Sequence, residues 1–187
     1  MLLCTIQTVG KNRAIINRMN NQNAQDNLPE PDGSRRPHPV RSGSITVLHV
    51  DDDPNDTLLL QAATRKASLE FILHNVEDGE QAIAYLSGEG IYADRKRFQI
   101  PALILLDLKM PRLTGFEILK WVRARPGLGK LPVVVLSGSE LKEDILRAYS
   151  TGANSYLVKP LGFDALVGLV KNLHSAWLAP LQAPSPS

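Results

Sequence analysis

Ala102-Leu103-Ile104-Leu105-Leu106-Asp107 decides the fold of this chain. Five apolar residues run without polar alternation into a single carboxylate. Such a run is too short for a buried helix and suits a strand covered on both faces, which is the habit of parallel sheets. On the N-terminal side, Ile45-Thr46-Val47-Leu48-His49-Val50 is a similar run, closed by Asp51, Asp52 and Asp53. Asp53 before Pro54 reads as an N-cap with proline in the first helical turn, opening a helix to about Lys66. Leu69 to Val76 then reads as a strand, and Asp78 with Gln81 caps a helix to about Ser87.

The same rhythm continues after Asp107. Thr114 and Glu117 have capping-box spacing and open a helix that ends near Arg125, just before Pro126. Leu131 to Leu136 reads as a strand, Glu140 to Ser150 as a helix and Asn154 to Val158 as a strand. A last helix, about Phe163 to Trp177, carries apolar residues at 163, 166, 167, 170, 173 and 177, a core-facing stripe. Strands alternating with helices predict an α/β fold, a doubly wound five-stranded parallel sheet with helices on both faces.

Open parallel sheets bind ligands beyond the carboxyl ends of their strands. Asp51 and Asp52 follow the first strand, Asp107 closes the third, Ser137 follows the fourth and Lys159 the fifth. One rim thereby receives three carboxylates, a hydroxyl and an ammonium. Three crowded carboxylates repel, and a hard divalent cation such as Mg²⁺ relieves that repulsion. Asp107 is then placed as a nucleophile toward phosphorus, with Lys159 and Ser137 to stabilise charge on the phosphoryl oxygens. Gly138 beside Ser137 leaves room for its backbone N–H at the phosphoryl group.

The remaining sequence sets limits. The 187 residues carry 21 basic and 19 acidic side chains, giving no electrostatic case for nucleic acid or an anionic membrane. The lone cysteine, Cys4, excludes an internal disulfide framework. All ten aromatic residues lie beyond position 44, and the Asn-, Gln-, Pro- and Arg-rich stretch before it lacks the apolar surface to offset ordering. The domain expectation is a flexible arm at 1–43, a folded domain at 44–177 and a flexible tail at 178–187. Residues 1–25 hold no acidic residue and loosely resemble an organelle presequence. A plain extension, or a start at Met19, accounts for them more simply. No run approaches the roughly 20 apolar residues of a membrane span, so a soluble, cytoplasmic protein is expected.

Val50-Asp51-Asp52-Asp53-Pro54, Leu105-Leu106-Asp107-Leu108-Lys109-Met110-Pro111 through Gly115, Leu136-Ser137-Gly138 and Tyr156-Leu157-Val158-Lys159-Pro160 resemble the receiver domain of two-component response regulators, over roughly residues 45–175. The strand order 2-1-3-4-5 comes with that resemblance rather than from the pattern. The resemblance implies that Asp107 is the phosphoacceptor, charged by a histidine kinase or a phosphotransfer protein. It implies Mg²⁺ held by Asp51, Asp52, Asp107 and the backbone carbonyl of Lys109. Ser137 and Tyr156 match the switch pair and Lys159 the phosphoryl-binding lysine, with a cis Lys159–Pro160 bond. Lys109 and Ser139 match positions that flank the approach of hydrolytic water and would tune hydrolysis in a direction the sequence does not give. The resemblance implies a phosphoacceptor with slow self-catalysed dephosphorylation rather than an enzyme.

Two features depart from most receivers. Leu161 replaces the aromatic that commonly follows Lys-Pro. The stretch 88–101, with Asp94-Arg95-Lys96-Arg97-Phe98, is long and reads as a solvated loop or, alternatively, a partner contact. Together with Ser-Gly-Ser-Glu-Leu-Lys at 137–142 it looks like the stand-alone receivers that pair with phytochrome-type or other hybrid kinases. No output domain is expected after the last helix, so the resemblance implies output through altered binding to a downstream protein. It also allows a homodimer through helix four, strand five and helix five. A receiver fold used only as a phosphorylation-independent docking scaffold is the alternative. A haloacid-dehalogenase-type phosphatase would need an Asp where Lys109 stands, and a flavin carrier would not place three aspartates after strand one. His49, His74, His38 and His174 receive no role.

Overall fold

Parallel strands need crossover connections, and amphipathic helices supply each one. The computed structural model describes residues 45–182. The arm expected at 1–43, with Cys4, Met19 and His38, and residues 183–187 lie outside the described residues. The elements are β1 (Thr46–Val50), α1 (Pro54–Lys66), β2 (Ile72–Val76), α2 (Gly79–Ser87), β3 (Leu103–Leu106), α3 (Gly115–Ala124), β4 (Val133–Ser137), α4 (Lys142–Thr151), β5 (Ser155–Val158), α5 (Phe163–Leu173) and a short α6 (Ala179–Gln182).

The expected caps form. Asp53 Oδ1 accepts from the Asn55 N–H at 2.8 Å, and Asp78 Oδ1 from the Gln81 N–H at 2.8 Å. Glu117 Oε2 accepts from both the backbone N–H and the hydroxyl of Thr114, at 2.8 and 2.7 Å. β2 starts three residues later than expected. Ser68 sits at φ 54°, and its N–H and that of Leu69 close the end of α1 on the Arg65 and Thr64 carbonyls, so residues 69–71 turn the chain.

All strand pairs are parallel, in the order β2-β1-β3-β4-β5. Val50 lies opposite both Val76 and Leu106, so β1, β2 and β3 end level with one another. The chain leaves β1 toward one edge and returns to pair β3 on its other side. The gap where the winding reverses therefore lies between Asp51 and Asp107.

Side chains alternate between two apolar layers. Leu48, Val50, Ile104, Leu106, Val133 and Val135 pack with Leu86, Ile118, Leu119 and Ala148 beneath α2, α3 and α4. Val47, Leu103, Leu105, Val134 and Leu157 pack with Leu60, Val167 and Leu173 beneath α1 and α5. Each fully buried aliphatic side chain stabilises the fold by about 1.5–3 kcal/mol. Those two layers carry the stability and leave the rim free to hold like charges.

One expectation is refined and one needs correction. The 88–101 stretch is mostly exposed, as a solvated loop is, but Tyr92, Arg95 and Phe98 anchor it to the domain. Arg95 donates to the carbonyls of Tyr85 and Leu86 in the last turn of α2 and of Phe98 in the lobe, at 2.8–3.1 Å. Tyr92 meets the Tyr85 ring at a tilt and Phe98 meets it edge-on, and the Tyr85 hydroxyl donates to the Gln99 carbonyl at 3.0 Å. The boundary at 177 falls short. Leu178 is fully buried beneath α1 and α5, and helical structure runs on through Gln182. Pro180 cannot donate into a regular helical ladder, and a π-type turn at His174–Leu178 widens the ladder just before it.

Candidate functional site

The rim is assembled from four strand ends and the first turn of α1. Asp51 and Asp107 follow β1 and β3 and are almost wholly buried, whereas Asp52 points outward. Even so, one carboxylate oxygen from each of Asp51, Asp52 and Asp107 lies within 4.8 Å of the others. Gly115 makes room for this loop, since a Cβ there would lie 2.1 Å from the Asp107 carbonyl oxygen. The Gly115 N–H donates to the Leu108 carbonyl at 3.2 Å. Asp107 Oδ1 accepts from the backbone N–H of Leu108 at 2.6 Å and of Lys109 at 3.3 Å. The backbone of Lys109 is thus beside the Asp107 carboxylate while its side chain is exposed.

Lys159 reaches this cluster from the end of β5. Its Nζ lies 2.8 Å from Asp51 Oδ2, 3.1 Å from Asp107 Oδ2 and 2.6 Å from Asp56 Oδ2. Burial alone would push the ammonium pKa down. Close ion pairs with Asp51 and Asp56, with the charge of Asp107, hold it well above its ordinary value. Burial likewise pushes the Asp51 carboxyl up, but His49 and Lys159 outweigh it and keep that carboxyl below the usual range. The Lys159–Pro160 bond is trans, against the expectation of cis. The two isomers of a bond before proline differ by only about 0.5–1 kcal/mol, so a motif does not dictate which is adopted.

Ser137 is fully buried. Its carbonyl accepts from the Lys159 N–H at 3.0 Å, yet its hydroxyl has no hydrogen-bond partner. Tyr156 is buried and donates its hydroxyl to the Ser139 carbonyl at 2.8 Å. Burial, reinforced by the Asp144 charge, pushes the phenol pKa up. Ser139 does not flank an open approach in this conformation, because it is buried and its hydroxyl donates to Asp144 Oδ2 at 2.5 Å. Nor is Gly138 demanded by crowding, since nothing lies within 4 Å of a Cβ placed there. Leu161, the departure after Lys-Pro, is fully exposed.

Two residues escaped the sequence reading. His49 is buried, with Nε2 3.3 Å from Asp51 Oδ2 and Nδ1 2.8 Å from Asn75 Oδ1, which also accepts from the Thr57 hydroxyl at 2.9 Å. Alternation was the available signal, since residues two apart along β1 share a face. Asp56 is the other. An acid in a first helical turn is commonplace, and nothing local distinguishes it.

The donor set fits a hard divalent cation. It offers carboxylate oxygens only, and buried Asp51 Oδ2 has no aligned hydrogen bond despite its close ion-pair contacts. Among the described residues no helix is long and apolar enough to cross a membrane.

Comparison with known proteins agrees with this geometry. The family model of the response regulator receiver domain matches residues 47–171. Response regulator Rcp1 of Synechocystis sp. is 33% identical over 139 residues, covering 74% of this chain and 92% of that protein. The crystal structure of Mn²⁺-bound Rcp1 has a TM-score of 0.65 at 31% identity, covering 76% of this chain and 99% of that one. The phosphorylated cyanobacterial phytochrome response regulator RcpA has a TM-score of 0.68 at 35% identity, covering 78% and 100%.

Proposed function

The chain belongs to the response regulator receiver family, and from that premise we propose that Asp107 accepts a phosphoryl group from the phosphohistidine of a histidine kinase or phosphotransfer protein. The observation that carries this reading is Lys159, whose ammonium touches Asp51 and Asp107 together beside a three-carboxylate cluster. In the transfer, a carboxylate oxygen of Asp107 forms the new O–P bond. The electron pair of the breaking P–N bond returns to the donor imidazole. Asp107 Oδ2, which contacts Lys159 while the backbone N–H groups hold Oδ1, is the freer oxygen for that attack.

Asp51, Asp52, Asp107 and the Lys109 backbone carbonyl are the groups to hold Mg²⁺. When bound, that ion offsets the carboxylate charge and polarises phosphoryl oxygens. Lys159 pairs with one phosphoryl oxygen and the unpartnered Ser137 hydroxyl donates to another. Drawing Ser137 toward the phosphoryl group displaces the loop that holds Tyr156. The two conformers thereby shift in population, and binding changes on the α4–β5–α5 surface, to a downstream protein or a second copy. Water attack on phosphorus then breaks the Asp107 O–P bond, returns the carboxylate and releases inorganic phosphate, resetting the protein slowly.

The similarity to RcpA, a phytochrome response regulator, supports a kinase of phytochrome type as donor. The test is uptake from acetyl phosphate with MgCl₂. Wild type should gain a hydroxylamine-labile phosphoryl group and Asp107→Asn should not. A docking scaffold would bind its target equally well as wild type or as Asp107→Asn.

A further inference from the structure

Asp56 belongs to neither the carboxylate cluster nor the switch, yet it makes the shortest contact to Lys159, at 2.6 Å. A carboxylate in the first turn of a helix ordinarily complements the helix dipole and faces water. Asp56 instead reaches across the rim to a lysine 103 positions away in sequence. An ammonium has three protons to donate. Here three carboxylates surround it, one each from Asp51, Asp56 and Asp107.

Resting on the phosphoacceptor reading above, we propose that Asp56 is a positioning residue that holds Lys159 at the site while partly neutralising it, and so weakens the site's grip on a phosphoryl group. Phosphorylation converts the single charge of a carboxylate at Asp107 to nearly two. Every anion nearby opposes that gain, and every cation favours it. Asp51, Asp52 and Asp107 can share a divalent ion. Asp56 stands outside that cluster, so its charge falls on Lys159 alone. The same carboxylate fixes where the ammonium sits, which is why the lysine remains beside Asp107 before any phosphoryl group arrives. Asp56 thus sets how tightly the phosphorylated state is held.

Asparagine separates the two effects, because it keeps an acceptor for Lys159 and removes the charge. Beryllium fluoride, a phosphoryl mimic, is titrated calorimetrically in the presence of MgCl₂ against wild type, Asp56→Asn, Asp56→Glu and Asp107→Asn. Asp56→Asn should bind about threefold to tenfold more tightly at low salt. The gain should shrink toward nothing near 1 M salt, because Asp56 is partly exposed and its field is screened. Asp56→Glu should match wild type. Dephosphorylation of the Asp56→Asn aspartyl phosphate should slow by a similar factor. Unchanged or weaker binding by Asp56→Asn, or a gain indifferent to salt, overturns the proposal. Equal binding by Asp107→Asn instead overturns the phosphoacceptor reading.

Discussion

Tyr156 donates its phenolic proton to the backbone carbonyl of Ser139, 2.8 Å away, and both residues are buried. Ser139 is fixed a second time through its hydroxyl, which donates to Asp144 Oδ2 on α4. The loop after β4 is therefore tied to β5 and to α4 at one residue. Motion of Ser137 toward a phosphoryl group must strain or break these ties.

Ser139→Ala should loosen that loop in the resting protein. One hydrogen bond to a charged group is lost, at a cost of about 1.5–3 kcal/mol. Hydrogen exchange at residues 137–142 should speed up, and phosphorylation from acetyl phosphate should become faster. Unchanged exchange would show that the tie restrains nothing.

Gly115→Ala should be among the most damaging changes in the chain. The added Cβ meets the Asp107 carbonyl oxygen and the Leu108 Cα, at 2.1 and 2.8 Å, and neither atom belongs to a flexible side chain. Overpacking of this kind costs about 1–3 kcal/mol, and a backbone clash lies at the upper end. Urea denaturation reads the loss. Phosphoryl uptake should fall as well, because the displaced segment carries Asp107, the proposed acceptor.

Tyr85 gives a pH signature. It is fully buried, and burial raises its pKa to about 12 against opposition from Arg95. Unfolded, a tyrosine ionises near pH 10. Above that pH the unfolded state binds fewer protons than the folded one, so stability falls as pH rises. The contribution is complete below about pH 10 and is lost progressively as pH approaches 12. Tyr92 and Tyr156 are raised as well, so phenolate absorbance should show several tyrosines titrating above pH 10, and Tyr85→Phe should remove the step near pH 12.

Arg95→Ala should release the 88–101 lobe. The guanidinium serves three carbonyls, and losing it should cost about 2–3 kcal/mol. Proteolysis within residues 89–99 should accelerate while the metal site keeps its affinity.

Divalent cations should stabilise the protein in a concentration-dependent way. Ligand binding to the folded state alone raises the melting temperature by mass action. MgCl₂ and MnCl₂ should both raise it for wild type, and Asp51→Asn should lose most of that response.

The sheet was readable because buried parallel strands leave apolar runs, unbroken in β3 and through Leu136 in β4 and interrupted in β1 only by Thr46 and His49. The acidic cluster and Lys159 were readable because each directly follows such a run. Other features depend on side-chain reach rather than pattern. His49 resembles any polar residue inside a strand, and Asp56 any first-turn acid, until the fold places Asp51 and Lys159 beside them. Arg95 looked like part of a charged loop because capping the C-terminus of α2 leaves no periodic trace. Leu178 escaped because a π-type turn breaks the helical spacing that would have placed it in the stripe.

The central claim is that Asp107 carries the phosphoryl group, and locating that group tests it most directly. The protein is incubated with acetyl phosphate and MgCl₂, reduced with borohydride, which converts an aspartyl phosphate to homoserine, and mapped by mass spectrometry. Homoserine at position 107 and nowhere else is the predicted result. A reduced residue at another position, or none in protein that still binds beryllium fluoride, would contradict the account.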